Sequence, residues 1–244
     1  MSSRARFWIV TVAAVCTVAL TASLGVWQLG RATLKESLAS QIAERQTQPA
    51  LEGRQLPGSH DEAEPLLHRP VRLRGEWVPE ASVFLDNRPM AGRTGFLLVT
   101  PLRLDDGRVV LIQRGWVPRD FQERLRVPTV DTPAGLVELQ GRLAPLPSRL
   151  FEFSGAESGL IRQNLDVAEF SRQTGLSLLP VSVLQTGASP EGLLREWPRF
   201  EATVHKHHGY AAQWFAMSAV AAGLYVWFQL ISPRRRRAIH DQNP

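Results

Sequence analysis

Charge is absent from two long stretches of the chain. From Phe7 to Leu29 a run of 23 residues carries no Asp, Glu, Lys or Arg; as a helix it is about 35 Å long and crosses the hydrocarbon core of a bilayer with some tilt. A second uncharged run covers Tyr210 to Ile231, with Tyr210 and Trp214 near one end and Tyr225 and Trp227 near the other. Aromatic residues at both ends suit the two membrane interfaces. The pattern predicts transmembrane helices over 7–29 and 210–231. Small residues recur at helical spacing in each, at Ala13, Thr17, Thr21 and Gly25 and at Ala212, Ala216, Ala219 and Gly223. Such stripes let helix backbones approach closely.

Between the two runs the period changes. Arg31 to Gln48 lacks Gly and Pro and continues the first helix, with Leu34, Leu38 and Ile42 on one side. Gly53 to Pro65 reads as a loop. Short apolar and β-branched runs follow between turn signals, at Val71–Trp77, Ser82–Asp86, Gly95–Leu104, Arg108–Val117 and Gly135–Leu143. Asp105-Asp106-Gly107 joins two of them as a hairpin. Val167–Thr174 reads as a short helix and Leu178–Leu184 as a further strand. The fold class expected is an α+β membrane protein: two terminal transmembrane helices flank a mostly antiparallel β domain, a small barrel or curled sheet with one or two helices. The chain divides into residues 1–6, span 7–29, domain 30–209, span 210–231 and a basic tail 232–244.

Charge sharpens this picture. The formal charge is +5, yet between Arg31 and Lys206 there are 22 Lys and Arg against 22 Asp and Glu. The excess lies in Arg4, Arg6 and Arg234–Arg237, beside the apolar runs, which is charge placed for a lipid bilayer and not for nucleic acid. The first run is longer than the roughly 7–15 residue apolar region of a cleavable signal peptide and ends in Trp27-Gln28-Leu29, so it reads as a retained anchor. Arginines outside both spans put both termini in the cytoplasm and the domain in the periplasm of a bacterial inner membrane. No mitochondrial presequence is expected in the residues ahead of the first run.

Candidate chemistry is sparse. The single cysteine, Cys16, lies in the first span, so disulfides, thiolate metal sites and covalent c-type haem attachment are excluded from the domain. Gly155-Ala156-Glu157-Ser158-Gly159 has its serine one place too late for a nucleophile elbow. No phosphate loop, dinucleotide fingerprint or H-E-x-x-H occurs, and His60, His68 and His240 stand alone in the sequence. No catalytic residue is assigned and the chain is not expected to be an enzyme.

Four local patterns occur together, in order. Leu24-Gly25-Val26-Trp27-Gln28-Leu29 with Arg31 and Lys35 resembles the segment closing the first span of the Surfeit-locus cytochrome c oxidase assembly factors. Val71-Arg72-Leu73-Arg74-Gly75 resembles their first strand motif. Gly95–Leu102 with Val110–Pro118 resembles their hairpin, with Gln113 where Asn is usual. His207-His208-Gly209-Tyr210 with Gln213-Trp214-Phe215 is similar to the opening of their second span. The resemblance covers almost the whole chain. It implies a non-enzymatic assembly factor for haem-copper oxidase, acting as a chaperone in respiratory-chain biogenesis. Its implied partners are the cytochrome c oxidase catalytic subunit and haem a synthase, with haem a as a transiently held cofactor. Two alternatives stay open: a haem-free protein-binding scaffold of the oxidase assembly intermediate, and a membrane-anchored periplasmic enzyme.

For haem without cysteine, a neutral imidazole is the expected axial ligand. His207 is the candidate haem-iron ligand, with Tyr210 and Trp214 three and seven residues on and so on the same helical face; His208 points about 100° away. Trp27 and Gln28, at the outer mouth of the first span, are further candidates. Arg114, Gly115 and Trp116 are a candidate interaction surface, against the plainer reading of bend, packing and salt bridge.

Overall fold

A computed structural model describes residues 2–120, 129–150, 159–198 and 204–232. In chain order the first elements are α1 (Ser3–Gln46), β1 (Leu51–Glu52), α2 (His60–Ala63), β2 (Pro70–Trp77), β3 (Val83–Met90), β4 (Arg93–Leu104) and β5 (Val109–Pro118). They are followed by β6 (Leu136–Ala144), β7 (Ile161–Arg162), α3 (Val167–Thr174), β8 (Leu178–Gln185) and α4 (Val204–Tyr225), which continues as a π-helical turn over Val226–Ile231. Contacts divide the chain into two compact units, Met1–Ser40 with Arg199–Pro244, and Gln41–Pro198. The first extends past residue 30 because α1 does not stop at the end of the apolar run. The helix itself ends at Gln46, shortly before Pro49, whose ring disfavours helical geometry in the residue before it.

In the first unit, α1 and α4 are each long and apolar enough to cross a membrane, and only 11% and 6% of their apolar windows are buried inside the protein. A core helix would be buried; here Trp8, Val12, Leu20, Val26, Val220 and Phe228 face outward. The shielded positions form a row on each helix. The row on α1 is Thr11, Ala14, Val18, Thr21, Gly25, Gln28, Ala32 and Lys35, and on α4 His207, Ala211, Trp214, Ser218, Ala221 and Tyr225, with Ala22, Leu24 and Ala222 partly shielded beside them. Steps of three and four alternate along both rows, the 3.5-residue period of paired helices. The rows touch: Thr11 and Tyr225 share a hydroxyl hydrogen bond of 2.9 Å, and Ser218 Oγ donates to the Val18 carbonyl at 3.3 Å.

The small-residue stripes lie elsewhere. Thr21 and Gly25 are buried in the row, but Ala13 and Thr17 are exposed, as are Ala212, Ala216, Ala219 and Gly223. The α1 stripe steps by four and drifts about 40° each time, so it meets the shielded row only at Thr21 and Gly25, whereas the α4 stripe keeps the alternating steps but is offset from the shielded row by one or two residues, about 100° or more around the helix.

The second unit is built on an eight-stranded mixed sheet in the order β1-β2-β6-β8-β5-β4-β3-β7. The long pairings β2–β6, β3–β4, β4–β5 and β6–β8 are antiparallel, as the turn signals predict. Three are parallel: β1–β2, β3–β7 and β5–β8. The sheet is mixed but mostly antiparallel, as expected; its longest parallel pairing arises because β8 returns after α3 in the direction of β5. Beyond β1, the other end of the same β2 edge pairs with β4, Gly75 opposite Leu104 and Trp77 opposite Leu102.

Two further elements differ from expectation. β3 extends to Met90 through a bulge after Leu85, with Asn87 at φ +58°, and a two-residue turn, Ala91 at +49° and Gly92 at +74°, leads straight into β4. The bulge accommodates Asn87, and Pro89 pairs with Thr94 near the strand end. The expected 53–65 loop contains helical turns at Gly53–Gln55 and in α2, the latter capped by Ser59 Oγ accepting from the Glu62 amide.

β4 and β5 are buried on both faces, which explains their continuous apolar runs Phe96–Val99 and Val109–Ile112. One core gathers Leu73, Leu102, Ile112, Leu143 and Val183; a second packs Leu85, Val99 and Leu111 against Phe170 of α3; a third holds Phe84, Phe96 and Leu98. Gly155–Ser158, His240 and Arg234–Arg237 lie outside the described residues.

Candidate functional site

The helix pair brings two of the sequence candidates together. His207, in the first turns of α4, and Gln28 of α1 meet through His207 Nδ1 and Gln28 Oε1 at 2.8 Å. A carboxamide oxygen only accepts, so this contact is a hydrogen bond in the tautomer that carries its proton on Nδ1. No hydrogen bond reaches His207 Nε2 from the described residues, and a neutral imidazole with Nδ1 protonated has its lone pair there. The contact sits in the shielded rows, between Gly25 and Ala32 on α1 and beside the buried Ala211 on α4. A Cβ added at Gly25 would lie 2.7 Å from Cε1 of Phe215, so that glycine makes room for a ring from the facing helix.

The remaining helix candidates are distributed around this pair. Trp214 is half-buried in the same row as His207, whereas Tyr210 is 52% exposed on its flank. Trp27 is exposed, with the Arg31 guanidinium 5.6 Å from its ring centroid. His208 turns away from His207 and pairs with Glu36 of α1 at 2.9 Å, as the 100° helical step predicts. Chemically the cluster offers an imidazole nitrogen for a soft or borderline metal centre, flanked by aromatic rings and by cations on α1.

Arg114, Gly115 and Trp116, on β5, are all buried and present no surface to a partner in this structure. Arg114 Nη1 donates to Thr132 Oγ1 at 2.6 Å and Nη2 to the Asp131 carbonyl at 2.9 Å, and its guanidinium lies 4.8 Å from the Trp77 ring centroid. Glu191 stands between Arg114 and Arg195, an ion triad whose three side chains are 10% exposed or less. Burial pulls the Arg114 pKa below the ordinary guanidinium value, and Glu191 opposes that shift. Gly115 has φ +153°, and a Cβ there would come within 2.7 Å of Leu193 Cβ. At this point the β5 edge pairs with the 190s segment: the Trp116 and Leu194 backbones exchange two hydrogen bonds of 2.8 Å.

Residues 15–219 match the SURF1 family, a span that includes both Gln28 and His207. The chain belongs to the SURF1 family. Among similar SURF1-family relatives is the SURF1-like protein of Rickettsia bellii, 26% identical over 212 residues that make up 83% of each chain. Surfeit locus protein 1 of Rattus norvegicus is 26% identical over 226 residues, 84% of this chain and 70% of the rat protein. The cytochrome oxidase assembly protein SHY1 of Saccharomyces cerevisiae is 36% identical over 100 residues, 40% of this chain and 25% of the yeast protein.

Sequence reading missed two partners in this SURF1-family helix pair, Glu36 and Phe215. Glu36 carries a signal in hindsight, since it is an acidic residue two turns beyond Gln28 on the helix that faces the histidines. Phe215 lies in the stretch similar to the opening of the family's second span, but nothing there marks it as packing on a glycine.

Proposed function

We propose that this chain is an assembly factor for cytochrome c oxidase that holds haem a on His207 and hands it to, or stabilises, the catalytic subunit. The family and the name of the yeast relative support the oxidase assembly role. The observation that carries the haem reading is the His207–Gln28 hydrogen bond, which commits one ring nitrogen to the protein and leaves Nε2 for iron. The donor set suits haem: one neutral imidazole for the axial position, with Trp214 and Tyr210 near it as apolar, hydrogen-bonding neighbours for a macrocycle. The chain does no catalysis of its own in this reading; its residues bind, orient and release. Haem a synthase would supply the haem, and the oxidase catalytic subunit would receive it.

The placement proposed is the inner membrane of a bacterium, with both termini cytoplasmic and the β domain periplasmic. That domain we read as a small barrel, a reading supported by β2 pairing with β4 on one edge and β6 on the other. Alkaline phosphatase fused after Gly141 is expected to be active, and fused after Arg237 inactive; the opposite pattern reverses the orientation.

Protein purified in detergent from cells making haem a is expected to show a Soret band, lost or strongly shifted in His207→Ala and largely kept in His208→Ala. A deletion strain is expected to lose part of its cytochrome c oxidase activity while upstream respiratory complexes keep theirs. Equal haem content in wild type and His207→Ala would remove the ligand role and leave the haem-free scaffold as the function.

A further inference from the structure

Resting on the reading of His207 as a haem ligand, we propose that Gln28 is the positioning residue that holds this histidine as its Nδ1-protonated tautomer, so that Nε2 faces iron before haem arrives. Three observations lead here. The acceptor on Gln28 is the carboxamide oxygen, 2.8 Å from Nδ1, which fixes the direction of the bond. Gln28 and His207 occupy matching places in the two shielded rows, so the packing that pairs the helices also sets the distance between them. The neighbouring row positions, Gly25, Ala32 and Ala211, are small and buried, and the helices are close enough there for a glutamine to span the gap.

The chemistry gives this contact a consequence. An unconstrained neutral imidazole in water favours the tautomer with the proton on Nε2, the wrong one for an Nε2 ligand. Choosing the tautomer is the work of whatever bonds to the other nitrogen. Partners of this kind orient ligating histidines and raise their basicity, and losing one costs about 10–100-fold in metal affinity. A neutral carboxamide acceptor does so without the negative charge of a carboxylate. It therefore supports a ligand that must later let go, which suits a carrier better than a permanent haem site. The cations on the same helix, Arg31 and Lys35, and the His208–Glu36 pair complete the polar surroundings of the contact.

The test begins with haem-free, full-length protein in detergent, labelled with nitrogen-15 at histidine. Long-range proton–nitrogen spectra are expected to show His207 with Nδ1 protonated in wild type and in Gln28→Glu, and with Nε2 protonated in Gln28→Leu. Titration with hemin is then expected to give a Kd about 10–100-fold weaker for Gln28→Leu, with Gln28→Glu equal to wild type or tighter. Matching circular dichroism and elution volumes establish that the variants fold. Should Gln28→Leu perturb the helix pair, the wild-type tautomer still decides: an Nε2-protonated His207 overturns the proposal. So does a Gln28→Leu variant with unchanged tautomer and unchanged hemin affinity. If instead His207→Ala binds hemin as tightly as wild type, the ligand reading fails, and the spectra report separately on whether Gln28 sets the tautomer.

Discussion

Trp116, 0% exposed, donates its indole N–H to the backbone carbonyl of Arg88 at 2.7 Å, which ties β5 to the bulged end of β3. The same Arg88 sends its buried guanidinium to the carbonyls of Ser148 at 2.6 Å and Gln163 at 2.7 Å. One residue pair thus gathers four segments of the β domain. Trp116→Ala is expected to destabilise it by about 3–5 kcal/mol. Trp116→Phe keeps much of the packing and is expected to lose on the order of 1 kcal/mol for the hydrogen bond. Urea denaturation followed by protease resistance of the β domain measures both, and equal midpoints for wild type and Phe would deny the bond a role.

The Arg114–Glu191–Arg195 triad is buried, so removing its one anion leaves two cations facing each other away from water. Glu191→Gln is expected to cost about 3–5 kcal/mol, the scale of breaking a buried pair, and to cost more than Arg195→Met, which leaves one cation with its anion. Thermal unfolding of the three proteins ranks them; the reverse order would show that the triad is screened by solvent.

Asp166 caps α3, accepting from the Glu169 amide at 3.0 Å, and this bond, with Arg149 nearby, holds its pKa below the ordinary 3.8. For a carboxylate whose folded pKa is depressed, the stabilisation is present above the unfolded value and is lost as pH falls through the folded one. Wild type is therefore expected to lose cap stability below about pH 4, where Asp166→Asn, with nothing to titrate, shows a smaller loss. Acid titration of both, read by the packing of Phe170, decides it: identical acid midpoints would exclude the cap from the acid transition.

Ala211 is 1% exposed in the row that faces α1, while Ala212 next to it is exposed. Ala211→Leu overpacks the helix pair and is expected to destabilise it by about 1–3 kcal/mol, whereas Ala212→Leu faces outward and is expected to be neutral. Melting of the full chain in detergent distinguishes them. A larger effect from Ala212→Leu would put the pairing on the small-residue stripe instead.

Much of this molecule was legible from the order of its residues. An uncharged run such as Phe7–Leu29 needs no tertiary context, because a bilayer-length apolar helix follows from local hydrogen bonding alone. Asp105-Asp106-Gly107, the alternating strand Val71–Trp77 and the capped helix Val167–Thr174 are likewise local, and each stands within a residue or two of its expected place. His207 stood out by its position at the mouth of a span. Gln28 stood out likewise at the end of the first apolar run, but the contact between the two did not, nor did the helix face they use: they lie 179 residues apart in sequence, and the small-residue stripes suggested other faces.

Tertiary structure decided what depends on distant segments meeting. It turned Arg114, Gly115 and Trp116 from a candidate surface into a buried joint, because the 190s segment pairs with β5 and covers them. It made the sheet mixed, because the direction in which β8 returns depends on where the chain between β5 and β8 packs. It also brought Gln28 to His207, since a hydrogen bond between two helices exists only once their rows of side chains have interlocked. Period and hydropathy are properties of one segment, whereas burial, register and protonation are properties of pairs.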